Sequence, residues 1–286
     1  MIELPSYDAL PEAPEGGRSA WGLFGPNDNV GLFNLLTPER VVEAARIIKR
    51  GVVFPLDAAI DAFSPSISAS RGLPRHRLFH RHDIVFDDVY DNFYPQGSSQ
   101  WDSLAHVGYA PDSFYNGATQ EDIASGRRNT IEHWAQRGLV GRAIVFDMPR
   151  ALARGGRPYH PGTNTAFTVD DLELARKTAG LEFTAGDILI LHTGFAAWYL
   201  SQPPEIRESF VKQPTIPGLA QGEDMCRYLW NGHLAAIASD SYAVEVVPHL
   251  SVSAPSAASD APPRLGRTLF EFLHRILIGQ FGMALG

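Results

Sequence analysis

The chain has 286 residues, 44% of them hydrophobic and 20% charged, with a formal net charge of −8. That composition belongs to folded globular proteins, excludes disordered and collagen-like classes, and at this length suits a single large α/β domain. The acidic balance repels phosphate backbones and argues against nucleic acid as a partner, while the single cysteine, Cys226, excludes an internal disulfide framework and a cysteine-based zinc site.

Residues 1–14 are acidic and proline-rich, where a signal peptide would be basic and then apolar. No apolar run approaches the ~18 residues that would cross a bilayer, so a soluble, cytoplasmic chain is expected. To about residue 24 the sequence reads as an irregular arm carrying Tyr7, Trp21, Leu23 and Phe24 among prolines and glycines. Such an arm must lie across its own subunit or a partner's, and the second option predicts a homodimer in which it reaches the partner's pocket. A first helix is expected with Thr37 as cap, Pro38 at its first position, Gly51 past its end, and Val41, Val42, Ala45 and Ile48 as an apolar stripe. Residues 82–86 read as a strand, and residues 130–137 as a helix closed by Gly138. Residues 143–146 form a buried-strand run. Thr168 caps a helix with Asp171 three residues on, ending near Gly180. Residues 187–191 give the strongest strand, and a helix over 219–230 leads into a strand over 234–238. Residues 251–263, rich in Pro, Ser and Ala, read as a loop, and Thr268 with Glu271 as the capping box of a last helix. Strand and helix alternate without repeat or linker, which predicts one domain over 1–286, a mixed or parallel sheet flanked by helices.

The sequence has no GxSxG elbow, phosphate-binding GxxxxGK[ST] loop, GxGxxG turn or HExxH pair. Nucleophile-elbow hydrolases and nucleotide-binding enzymes lose their footing accordingly. The richest segment is Gln96-Gly97-Ser98-Ser99-Gln100-Trp101-Asp102-Ser103-Leu104-Ala105-His106. If its first half is extended, Gln96, Ser98, Gln100 and Asp102 share a face as a row of oxygen acceptors. If the chain turns helical after Asp102, that carboxylate meets His106 and can hold it as a general base or acid. The competing account is a polar edge strand with a structurally satisfied histidine. His274 sits on the one polar stripe of the last helix, with Glu271 and Arg275, and a solvated stripe explains it equally well. Ser239-Asp240-Ser241 with Glu245, and His192-Thr193-Gly194, follow buried strands, where ligand crevices form and turns are also capped. Cys226 reads as a packing residue, and His76, His80, His82, His133, His160, His233 and His249 show no ligating spacing.

Taken together, Trp21-Gly22, Asn34-Leu35-Leu36-Thr37-Pro38-Glu39, the 99–106 segment, Tyr115-Asn116-Gly117, Leu191-His192-Thr193-Gly194, Pro217-Gly218-Leu219, Ser239-Asp240 and Leu273-His274 resemble the cyclase/kynurenine-formamidase-like family of metal-dependent hydrolases. The resemblance implies an α/β fold of the swivelling β/β/α type, with a mixed, partly barrel-like sheet flanked by helices. The family hallmark, His-x-Gly-Thr-His-x-Asp-x-Pro-x-His, places its metal-binding Asp on Asp102 and its acid–base histidine on His106. Its two other histidines fall on Gln96 and Gln100, its late histidine falls on His274, and the glutamate about a dozen residues further on has no counterpart here. The implied cofactor is either a divalent metal, manganese or zinc, on Gln96, Gln100 and Asp102, or none, since an amide oxygen is a harder and weaker donor than imidazole. The implied activity is hydrolysis of a carbonyl–heteroatom bond in a cyclic amide, lactone or aryl-formamide. Asp102, His106 and His274 would be catalytic. Trp101, Tyr109, Phe114, Tyr115, Trp21, Phe24, Asp240 and Glu245 would meet a small, flat or cyclic substrate. The alternatives are a metal-free cyclase of an aromatic, polyketide-like precursor and an inactive binding protein of the same fold, and in each case a homo-oligomer is expected.

Overall fold

The computed structural model describes residues 4–14, 16–248 and 269–286. The expected loop at 251–263, His249 and the capping residue Thr268 lie outside the described residues. The arm lies across its own subunit. Leu4, Tyr7, Leu10, Ala13 and Ala20 are buried, Tyr7 stands edge-on to Phe281, and the indole N–H of Trp230 donates to the carbonyl of Pro5 at 2.9 Å.

The first helix, α1 (Pro38–Arg46), begins at Thr37 as expected but ends before Gly51. None of its residues is buried, and Ile48 beyond it is 68% exposed, so the expected apolar stripe covers nothing within the subunit. An antiparallel hairpin follows, β1 (Arg75–His82) and β2 (Val85–Asp91). The residues expected to form a strand at 82–86 instead straddle its turn: Asp83 takes a positive φ of 41°, and Ile84 at the tip is 93% exposed. Apolar side chains alone cannot distinguish a strand from a tight turn between two strands.

Two short helices, α2 (Gln120–Ala124) and α3 (Ile131–Arg137), precede the sheet, with Gly138 at a φ of 75° ending α3. Strand β3 (Ala143–Asp147) leads into α4 (Met148–Arg154), and the short strand β4 (Ala166–Phe167) into α5 (Val169–Ala179). Helix α5 carries the expected capping box between Thr168 and Asp171 and ends at left-handed Gly180. Next come β5 (Ile188–His192), α6 (Phe195–Ser201), α7 (Pro204–Phe210) and β6 (Gly218–Leu219), which pairs with β4. Because Leu219 belongs to that strand, α8 (Glu223–Asn231) starts later than expected. It buries Met225, Cys226, Leu229 and Trp230 as one stripe. Strand β7 (Ala236–Ser239), helix α9 (Leu273–Leu277) and strand β8 (Ala284–Leu285) complete the described elements.

Strands β3, β5, β7 and β8 form a parallel sheet in the order β3-β5-β7-β8. Parallel neighbours need crossover connections, which the intervening helices supply, and α4 and α5 pack on β3. Edge strand β3 buries Ile144 and Phe146 and leaves Ala143 and Val145 exposed, so the run expected to be buried on both sides is buried on one. The described strands close no barrel. The four-stranded sheet is parallel throughout and flanked by helices. The antiparallel element at its edge is an isolated bridge, Asp102 to Leu285. Close backbone approach fixes the last segment: the N–H of Leu32 donates to the carbonyl of Gly282 at 2.8 Å, and a Cβ on Gly31, at a φ of 66°, would sit 2.0 Å from that oxygen.

Candidate active site

The bridge at the sheet edge delivers the first candidate residue. The backbone N–H of Asp102 donates to the carbonyl of Leu285 at 2.7 Å, which sets its carboxylate beside the end of β8. Residues 103–106 then turn, with the N–H of His106 on the carbonyl of Ser103, and Nε2 of His106 comes to 3.5 Å from Oδ1 of Asp102. The expected row of acceptors is broken at its start, because residues 95–97 form a 3₁₀ turn. Only its end survives: Nε2 of Gln100 donates to Oδ1 of Asp102 at 3.0 Å.

His274 comes to the same carboxylate from the opposite side, its Nε2 lying 3.9 Å from Oδ2 of Asp102. It is 7% exposed, as is Asp102, so neither belongs to a solvated stripe. The reason is Glu245, which is 1% exposed and serves as a polar anchor rather than a free contact for a ligand. Its carboxylate accepts from the backbone N–H groups of Leu273 and His274 at 3.0 and 3.2 Å, from Nε2 of Gln221 at 3.0 Å, and meets Nδ1 of His274 at 2.5 Å. This also explains why the expected last helix is not continuous. Phe272 leaves helical geometry and α9 begins afresh on two N–H groups that a buried carboxylate receives.

The result is a chain of acid and imidazole side chains, Glu245–His274–Asp102–His106, buried except at half-buried His106. The pKa values of its two imidazoles are shifted in opposite directions. Burial lowers the His106 pKa below the usual imidazole value, helped by the positive charges of His274 and Arg71, and Asp102 offsets this only in part. Burial works against the His274 cation too, but the hydrogen bond and charge of Glu245, with the charge of Asp102, outweigh it and raise the His274 pKa. The surroundings therefore favour the neutral form of His106 and the cationic form of His274.

A metal fits these side chains poorly. Gln96 lies in the 3₁₀ turn, and its backbone carbonyl accepts from Nη1 of Arg71 at 2.6 Å, which brings a guanidinium up to this segment. Gln100 turns its amide N–H, rather than its oxygen, to Asp102, as the repulsion between two oxygens requires. Two neutral amides and one carboxylate beside a guanidinium are a weak, hard donor set. Among the described residues no group of three or more His, Cys, Asp or Glu side chains converges as ion ligands. Of the two expectations, manganese or zinc on Gln96, Gln100 and Asp102 or no metal, this donor set suits the first poorly.

The other candidates disperse. Asp240 accepts from the hydroxyl of Thr193 at 2.8 Å and the N–H of Gly194 at 2.8 Å, so it holds the turn after β5; His192 lies 3.4 Å from Asp147 and 4.0 Å from Asp240. Trp101 packs edge-on to Phe33. Tyr109 donates its hydroxyl to the carbonyl of Gly16, Tyr115 donates to Asp28, and Trp21 donates its indole N–H to the carbonyl of Gly279. Phe24 packs on the main core, and Phe114 is half-buried beside Gly108. These aromatics weld the arm and the 109–116 segment to the end of the chain. Cys226 is fully buried, and that burial pushes its thiol pKa up, as fits packing. A cavity of about 690 Å³ between α5 and α8 contains none of the clustered residues; its Arg176 is already met by Glu173 and Glu182. Among the described residues no helix is long and apolar enough to cross a membrane.

Sequence reasoning missed three participants: Arg71, Gln221, and Phe272, whose ring stacks on His274 at 5.0 Å. It also missed the role of Glu245, because the pair Glu245–His274 spans 29 positions and no local pattern records it.

Comparison with known proteins agrees with this architecture. The cyclase family model matches residues 42–246. A solved structure described as a novel cyclase superposes with a TM-score of 0.76 at 28% identity, covering 94% of this chain and 85% of that one. Isatin hydrolase A from Ralstonia solanacearum shares the fold at a TM-score of 0.56 and 13% identity, over 87% of this chain and 84% of that one. No curated protein matches the chain.

Proposed function

Given that the chain belongs to the cyclase family, we propose that its buried cluster hydrolyses a carbonyl–heteroatom bond in a small cyclic amide, lactone or aryl-formamide without a metal. The observation that carries this reading is one carboxylate, Asp102, between two imidazoles, of which only His274 has a second carboxylate behind it. Paired titratable groups whose surroundings drive their pKa values apart are how a site divides base from acid work. In this reading Asp102 faces Nε2–H of His106, the other ring nitrogen, Nδ1, takes a proton from water as the oxygen attacks the carbonyl carbon, and Asp102 stabilises the imidazolium so formed. The Nε2–H of His274 lies beyond hydrogen-bond length from Asp102, and it donates to the tetrahedral oxyanion. When the carbon–heteroatom bond breaks, His106 returns its proton to the departing nitrogen or oxygen, and both histidines regain their starting states. Glu245 does not touch the reacting atoms; it orients His274 and keeps it charged.

A panel of lactams, lactones and aryl-formamides, assayed on chelator-treated protein, tests the proposal. Turnover that survives the chelator and falls about 10²–10⁴-fold in His106→Ala is expected. Activity abolished by the chelator and restored by added manganese or zinc would return the chemistry to a metal. Binding of panel members without turnover would leave a binding protein.

A further inference from the structure

We infer that the substrate of this site carries a carboxylate, and that Arg71 is the side chain that recognises it. The inference rests on the hydrolase reading only in treating the bound molecule as substrate. The recognition itself stands on the geometry around Arg71.

Nη1 of Arg71 donates to the carbonyl of Gln96 at 2.6 Å and to the hydroxyl of Tyr242 at 3.3 Å, and its guanidinium lies over the Tyr242 ring, 5.7 Å from the centroid. Gln96 precedes Gln100 and Asp102 on one loop, and Tyr242 lies between Asp240 and Glu245 on another. A single side chain therefore joins the two loops that supply the cluster. Both of those contacts use one nitrogen. Among the described residues Nε and Nη2 make no hydrogen bond, and no Asp or Glu lies within ion-pair distance of Arg71. The other half of a planar fork is left for a planar, two-oxygen acceptor, which is the shape of a carboxylate.

The charge is also placed where it costs something unless an anion arrives. The positive guanidinium disfavours protonation of His106 and of His274, and the second of these works against the cation that Glu245 maintains. A substrate carboxylate on Arg71 cancels that opposition and couples binding to the readiness of His274. A phosphate dianion is the less suitable anion: one guanidinium supplies two parallel donors, and phosphate sites draw on several donors or cations. Gln100 adds a complementary feature, because its Oε1 is buried without a partner and can accept an N–H from the same molecule.

The test is calorimetric binding of three probes to the full chain: benzoate, benzamide and phenyl phosphate. Wild-type protein is expected to prefer benzoate over both others. Arg71→Met should weaken benzoate about tenfold to a hundredfold, as loss of a charge-assisted hydrogen bond does, and leave benzamide unchanged. Arg71→Lys, which keeps the charge and loses the fork, should fall between. Tyr242→Phe removes the loop contact without the charge and should keep the preference for benzoate, with melting temperatures confirming that each variant is folded. Equal binding of benzoate and benzamide by the wild type, absence of benzoate binding at millimolar concentration, or preference for phenyl phosphate would overturn the inference. So would a loss in Tyr242→Phe as large as that in Arg71→Met, since Arg71 would then act by holding loops. None of these measurements requires turnover. Selective benzoate binding with no hydrolysis of any substrate would sink the hydrolase reading and leave the carboxylate site standing.

Discussion

Two regions of this molecule set a histidine against an aspartate, in opposite surroundings. On the β1–β2 hairpin, Nε2 of His76 meets Asp88 at 3.0 Å, closer than either imidazole comes to Asp102 at the sheet edge. By distance alone the hairpin pair is the stronger. Both of its side chains are well exposed, however, and an exposed pair is screened by water and salt and contributes at most about 1 kcal/mol. At the sheet edge the separations are longer, but Glu245, Asp102 and His274 are almost wholly out of solvent, where each charge acts through a less polarisable medium. Burial, rather than proximity, distinguishes the cluster proposed to work from the pair on the surface.

The largest effect expected from this contrast is on turnover. His106→Ala should lower kcat by about 10²–10⁴-fold, and Asp102→Asn by a comparable amount, with the far-ultraviolet spectrum unchanged. His76→Ala and Asp88→Asn should leave the rate where it was. Comparable losses from both regions would break the comparison, because exposure could then no longer explain which histidine matters.

Glu245 sharpens it. The rate should rise with pH as His106 loses its proton, below the usual imidazole range, and fall only when pH passes the raised pKa of His274. Glu245→Gln keeps the size of the side chain and removes its charge, so the alkaline limb of kcat/KM should move to lower pH while the acid limb stays. Stability follows the same sign. Since folding raises the His274 pKa, its contribution is whole below the unfolded imidazole value and fades as pH climbs through the folded one. Removing the partner outright, in Glu245→Ala, leaves a buried imidazolium unpaired and should cost about 3–5 kcal/mol at acid pH and less at alkaline pH. Denaturant midpoints across a pH series give the answer. A penalty that did not vary with pH would mean that Glu245 works through its backbone N–H contacts alone.

The sequence disclosed most where local rules act alone. Thr168 with Asp171 and Gly180, the five-residue strand that ends at His192, and the turn that joins Asp102 to His106 were all legible, because caps, apolar runs and four-residue spacings are local. It misled where the same signals were indifferent to tertiary context. The stripe of α1 is as regular as that of α8, yet the first faces outward and the second packs on the arm. Aromatics near the 99–106 segment in sequence proved to be packing, Trp101 against Phe33 and Tyr109 against the arm at Gly16, since closeness along the chain does not decide which surface a side chain meets. The partner of His274 was out of reach of any local reading. Glu245 looked like a polar residue in a crevice, and only the fold turns it inward against the start of α9.

The smallest expected effect is on the hairpin itself, and its value lies in its salt dependence. Asp88→Asn should change unfolding free energy by less than about 1 kcal/mol at low ionic strength, with the difference shrinking toward zero near 1 M salt, where screening reaches only about 3 Å. Neutral packing should survive there, because the His76 ring stacks on Tyr90 with centroids 4.4 Å apart and does not depend on the carboxylate. Glu245→Gln, measured in the same two salt concentrations, should keep nearly all of its destabilisation, since mobile ions do not enter a site from which water is already excluded. If both substitutions lost their effect in high salt, the sheet-edge cluster would be as open to solvent as the hairpin, and the division of labour between His106 and His274 would have no dry interior to sustain it.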